Sequence, residues 1–123
     1  MSPSRIQRRR TKGWRKPEWS VYVGRGTRWG NPYRLVRRGN GWAVQYGDDG
    51  AAVGTFATDT EARRYATEAF RVWAEHTVGY AVRARVELRG WNLMCWCPAP
   101  APGEPDHCHA AVLLELANKE AQP

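Results

Sequence analysis

No apolar run in this chain approaches the ~20 residues that a membrane-crossing helix needs. The N-terminus is basic but has no apolar stretch behind its charges, so it does not read as a secretory signal. Cysteine is scarce. There are three, an odd number, all at positions 95–108, which argues against a disulfide framework and for reduced thiols in a cytoplasm. Acid is almost missing from the first 38 residues, where Glu18 stands alone against twelve Lys and Arg. Two phosphate signatures are absent as well: neither the dinucleotide glycine fingerprint nor the phosphate-loop lysine pattern occurs. No carboxylate lies in a persuasive catalytic context. Asp48 and Asp49, between Gly47 and Gly50, read as turn formers because Asp bonds its own backbone there.

What remains is lopsided in charge. Residues 1–38 carry a net +11 and residues 39–123 a net −4, for +7 in all. The basic third is suited to phosphates, and the remainder reads as an acidic globular surface. Seven Trp in 123 residues is high. Several neighbour Arg or Gly, where a ring can stack on a base or sugar.

The length suits one domain with a real core. Residues 1–17 form a basic arm, expected to pack against a globular body at 18–118, with 119–123 a frayed tail. Strands are expected at 20–24, 33–36, 42–46 and 52–56, the last two joined by the 47–50 turn. Between the first two lies a glycine-rich loop at 24–32, where exposed amides could form an anion nest. Residues 58–76 are the best helix. Thr58 or Thr60 caps it, and Ala62, Tyr65, Ala66, Ala69, Phe70 and Trp73 fall on one face. Arg63, Arg64, Glu68, Arg71 and Glu75 fall on its wet face. A shorter helix within 78–88 stops at Gly90. A strand at 91–97, a Pro/Gly loop at 98–106 and a helix at 110–118 complete the chain. The expected fold class is α/β or α+β: a single small domain with a mixed sheet of about four or five strands and three helices. Its last β-loop-α unit carries a Cys/His cluster.

That cluster admits three readings. In a strand Cys95 and Cys97 face one way and Trp96 the other. Cys108 and His109 stand at the start of the last helix, with Asp106 as a candidate cap. Cys95, Cys97, Cys108 and His109 are thus a candidate tetrahedral zinc set of three thiolates and an imidazole. Alternatively, Cys108 is a thiolate nucleophile activated by the helix dipole, with His107 or His109 as base. The plainest alternative makes Cys95 and Cys97 small buried hydrophobes and the histidines incidental cap residues.

RIQRRRTKGWRKPE at 5–18, VYVGR at 21–25, RWGNPY at 28–33, LRGWNLMCWCP at 88–98 and CHAAVLLELAN at 108–118 together resemble the family catalogued as domain of unknown function 4326, from actinobacteria, other bacteria and phages. The resemblance implies that the arm belongs to the domain. It also implies a site drawing on Arg10, Trp14, Arg15, Trp29, Asn31, Cys95, Cys97, Cys108 and His109. Two departures are that the loop between Cys97 and Cys108 is long and proline-rich, and that Ala111 stands where the family usually has Asp. No activity carries over.

The expected function is a nucleic-acid- or nucleotide-binding accessory protein with a Cys/His site suited to zinc. Arg8, Arg9, Arg10, Arg15, Arg25 and Arg28 would contact phosphates, while Trp14 and Trp29 stack on bases. One alternative is a small enzyme acting on a nucleotide or nucleobase, with Cys108, His109 or Asn31 in the active site. Another is a module docking on an acidic protein partner. No membrane is expected as a partner.

Overall fold

The computed structural model describes residues 2–48 and 50–119. Asp49 of the expected turn, and residues 120–123 of the expected tail, lie outside the described residues. The fold is a single small mixed α/β domain, with three helices among the described residues. The six strands among the described residues divide into two sheets of three rather than joining in one. No helix among the described residues is long and apolar enough to cross a membrane.

The first sheet is parallel, ordered β1 (Arg5–Gln7), β6 (Asn92–Cys95), β2 (Ser20–Tyr22). The central strand explains itself: Leu93, Met94 and Cys95 are all buried, the continuous apolar run of a strand covered on both faces. β1 lies inside the basic arm and pairs in register, Arg5 with Leu93, Ile6 with Met94 and Gln7 with Cys95. The pairing continues past the strand, where Arg8 N–H donates to Cys95 O at 2.8 Å.

The second sheet is an antiparallel meander of β3 (Tyr33–Arg38), β4 (Gly41–Tyr46) and β5 (Ala52–Phe56). Tight turns join its neighbours, so its pairing is local, whereas the parallel sheet needs long crossovers. The chain passes from β2 to β3 through the glycine-rich loop.

Helix α1 (Asp59–His76) joins the two layers. Thr58 caps it, accepting Glu61 N–H at 3.2 Å. Ala62 and Ala66 pack with Val44 on the meander side, and Phe70 and Ala74 enter the main core. Helices α2 (Tyr80–Leu88) and α3 (His109–Asn118) pack on each other, and α3 lies on β6. Gly90, with φ of +83°, turns the chain out of α2, and its N–H donates to Asn118 Oδ1 at 3.0 Å. This brings the end of β6 and the start of α3 to one place, beside the first turns of α1.

Candidate metal centre and its cavity

Cys95 is the last residue of β6, Cys97 lies two beyond it, and Cys108 is the N-cap of α3. Their three sulfurs all lie within 4.8 Å of one another. The Cys95 and Cys97 Sγ atoms are 3.7 Å apart. Sulfurs held ~2.3 Å from a tetrahedral zinc sit ~3.8 Å from each other, so the spacing fits a metal of that size. Trp96 faces the opposite way and is exposed.

Packed sulfurs share charge. Hydrogen bonds from Cys108 and then Cys97 hold the Cys95 thiol well below the usual cysteine range. The Cys108 thiol is pushed up by its bonds to Cys95 and Cys97 and by burial. Cys97 is also raised: its contact with Cys108 favours the thiolate, but Cys95 and burial outweigh it. The trio therefore holds one negative charge readily and a second only with a cation present. Cys108 is 2 % exposed, and that burial disfavours its thiolate.

His109 is buried in the first turn of α3. Its Nε2 lies 2.8 Å from the carbonyl oxygen of Val23. A carbonyl only accepts, so in the neutral imidazole Nε2 is the donor and Nδ1 has the lone pair. Nδ1 lies 4.0 Å from Cys108 Sγ, although His109 falls outside the group of three sulfurs. A carbonyl that fixes the tautomer in this way commonly stands behind a metal-binding histidine.

Asp106 does not cap α3, because Cys108 occupies that position. The carboxylate instead pairs with Arg5 from β1, Nε to Oδ2 at 3.2 Å, and Arg5 also donates to Pro98 O at 3.2 Å. The Arg5 side chain is only 6 % exposed. The basic arm thereby pins the proline-rich loop that carries Cys108 home. Burial raises the Asp106 carboxyl above its ordinary range, with Arg5 pulling it back. Asp106→Asn should cost about 3 kcal/mol in urea unfolding, since it strands the Arg5 charge. A loss within ~0.5 kcal/mol, the scatter of ordinary surface changes, would show that the pair does not hold the loop.

A cavity of about 210 Å³ opens beside the sulfurs, between the two sheets. Cys95, Cys97, Cys108 and His109 form one wall, and Arg25, Arg34, Arg63 and Asn31 stand around the rest.

A family model described as Domain of unknown function (DUF4326) matches residues 6–119. The chain belongs to this family. No curated protein and no solved structure matches it. The DUF4326 match takes in Ile6 of β1, all three cysteines and α3, so arm and sulfur site fall within one family unit.

The expected site residues of this DUF4326 chain part company in the structure. Arg25 and Asn31 reach the cavity. Asn31 serves as a wall post: its Nδ2 donates to Ala66 O and its Oδ1 accepts from Tyr33 N–H, so its amide is taken up by backbone. Trp29 is no stacking platform. It is 6 % exposed, in the main core, edge-on to Tyr80. Arg28 extends over that ring and pairs with Glu87, outside the cavity lining. Arg9 and Arg15 are exposed, Trp14 is half-buried, and none of them lines the cavity. Three amides of the glycine loop are taken up by its own turns. Thr27 N–H donates to Gly24 O, Gly30 N–H to Thr27 O, and Trp29 N–H to Thr27 Oγ1. Ala111 lines a separate groove with Arg64, Arg71 and Glu115, so a carboxylate there would not face the sulfurs.

Sequence reasoning missed three residues: Trp96, Arg34 and Arg63. Arg8 lies 4.9 Å above both the Trp96 and Tyr22 rings, and Arg10 lies 4.8 Å from Trp96, which makes Trp96 a cation-clasped ring. Its place between two cysteines was the available signal. Arg34 and Arg63 were placed on a strand and on a wet helix face. The only hint for Arg63 was its position one turn from Thr67, which is buried.

Proposed function

We propose that the chain is a nucleic-acid- or nucleotide-binding accessory protein that carries a structural zinc ion on Cys95, Cys97, Cys108 and His109. One juncture supports the reading. At the end of β6 the sulfurs face inward, while Trp96 between them faces out under Arg8 and Arg10. Three thiolates and the Nδ1 lone pair of His109 are a donor set suited to zinc. Four protein ligands make a closed site, which braces structure rather than activating water. When bound, the ion would neutralise the crowded thiolates and fix the β6–α3 joint. Trp96, 37 % exposed, then offers a ring beside two guanidiniums, the pairing that single strands use for stacking and phosphate contact.

Titrating a short single-stranded oligonucleotide while following Trp fluorescence tests this. Affinity should fall steeply with salt. Arg8→Ala with Arg10→Ala should flatten the log–log salt slope by about 1.4, at ~0.7 for each phosphate no longer neutralised. A slope that stays the same in the double variant, or binding indifferent to salt, would remove nucleic acid from the proposal.

A further inference from the structure

We infer that the cavity beside the sulfurs is a receptor for a terminal phosphate monoester, with Arg63 as its central donor. The inference rests on the phosphate-binding reading above and narrows it to one chemistry. Three guanidiniums converge on the cavity from three different elements: Arg25 from the loop after β2, Arg34 from β3 and Arg63 from α1. They are not equally engaged. Arg34 pairs with the exposed Asp48 at 2.8 Å. Among the described residues, neither Arg25 nor Arg63 has a carboxylate partner. The Nε of Arg63 is buried and has no hydrogen-bond partner at all. The nearby Asp106 carboxylate is engaged with Arg5. A buried charged donor without an acceptor is costly, and an anion seated against the guanidinium relieves that cost.

Size and charge choose the anion. About 210 Å³ is below the ~300–1,000 Å³ of pockets that enclose a drug-sized ligand. The cavity therefore admits a phosphate head and leaves the base outside, toward solvent. A monoester carries close to two charges and three free oxygens, against one charge and two free oxygens for a backbone diester. Three guanidiniums match the former, and Arg forks suit phosphate oxygens. The zinc site, closed by its own ligands, would form the wall without touching the phosphate. The monoester could belong to a free mononucleotide or to the 5′ end of a strand.

Two otherwise identical single-stranded oligonucleotides, one 5′-phosphorylated and one 5′-hydroxyl, are compared by fluorescence anisotropy. A nucleoside 5′-monophosphate and inorganic phosphate serve as competitors. The phosphorylated strand should bind about tenfold or more tightly, the scale of hydrogen bonds to a charged group. Arg63→Gln should erase that preference and leave the affinity of the 5′-hydroxyl strand unchanged. Arg25→Gln, in an exposed loop, should shrink the preference severalfold and covers the case in which Arg63→Gln does not fold. Competition by the mononucleotide assigns the site to free nucleotides, and competition by phosphorylated strands alone assigns it to strand ends. Equal affinity of the two strands without competition by the mononucleotide, or a preference that persists in both variants, overturns the inference. Arg63-dependent mononucleotide binding without any binding of the 5′-hydroxyl strand would sustain it while removing the nucleic-acid reading.

Discussion

Cys108→Ser should abolish stoichiometric zinc and, in zinc-loaded protein, lower the melting temperature by about 10 °C or more. The size follows from linkage: a metal present at ~1,000 times its dissociation constant adds ~4 kcal/mol to the folded state. A domain of this length loses several degrees per kcal/mol. The substitution separates metal from packing unusually well. Cys108 is the N-cap of α3 with extended backbone angles, and its side chain makes no cap bond. Serine is among the preferred N-cap residues and would supply that bond, worth up to ~1 kcal/mol. In metal-free protein the variant should thus be as stable as the parent or slightly more so. In zinc it should be much less stable, and its melting should ignore a chelator that destabilises the parent. Mass spectrometry of untagged protein gives the metal count. If the parent holds no metal and its melting is the same in chelator, the sulfurs are three packed thiols, and the arginine cavity must stand without them.

How much of this was legible depended on the range of the interaction. Helix α1 was readable because its evidence is local: the Thr58 cap, the acidic first turn and the apolar repeat through Phe70 all lie within 19 residues. The meander was readable for the same reason, its partners being close in sequence. β1 was not readable as a strand. Three residues, Arg5, Ile6 and Gln7, are too few to show alternation, and they sit in a charge run that resembles a tail. Only their pairing with β6, some 88 positions away, makes them a strand. Arg63 misled for a different reason. A helical repeat separates core from surface, but a face turned into a cavity is neither. Thr67 and Arg63 share that face, Thr67 Oγ1 donating to Arg63 O at 2.8 Å. Trp29 misled because an Arg–Trp–Gly sequence looks like an exposed platform. The turn bonds that sink its ring into the core come from Thr27, two residues earlier. The cysteines, by contrast, were legible as a group. They flank a strand end and a helix start, the place where α/β folds form a crevice, and the three sulfurs do meet there.

Phe70→Ala should be the most damaging single change in the apolar core, costing about 4 kcal/mol in urea unfolding, with the midpoint falling and the slope unchanged. Phe70 is 0 % exposed and stands where all three helices meet. Its ring lies edge-on to Tyr80 of α2 at 6.0 Å and to His109 of α3 at 5.3 Å, with Trp73 of α1 stacked at 5.9 Å. Little can collapse into the space it leaves, because the surrounding rings are held from other sides: Tyr80 by Trp29 and Trp73, His109 by the Val23 carbonyl. Phe70→Leu, which keeps most of the volume, should cost much less. The contact with His109 ties this core position to the metal centre. With the ring gone, the imidazole loses that contact while its Nε2 bond to the Val23 carbonyl remains. Zinc affinity should then fall in Phe70→Ala by more than in Phe70→Leu, measured at a temperature where both stay folded. Equal zinc affinity in the two would mean that the Val23 carbonyl alone orients His109. A stability loss below ~1 kcal/mol would mean that α1 does not hold the core as its burial indicates.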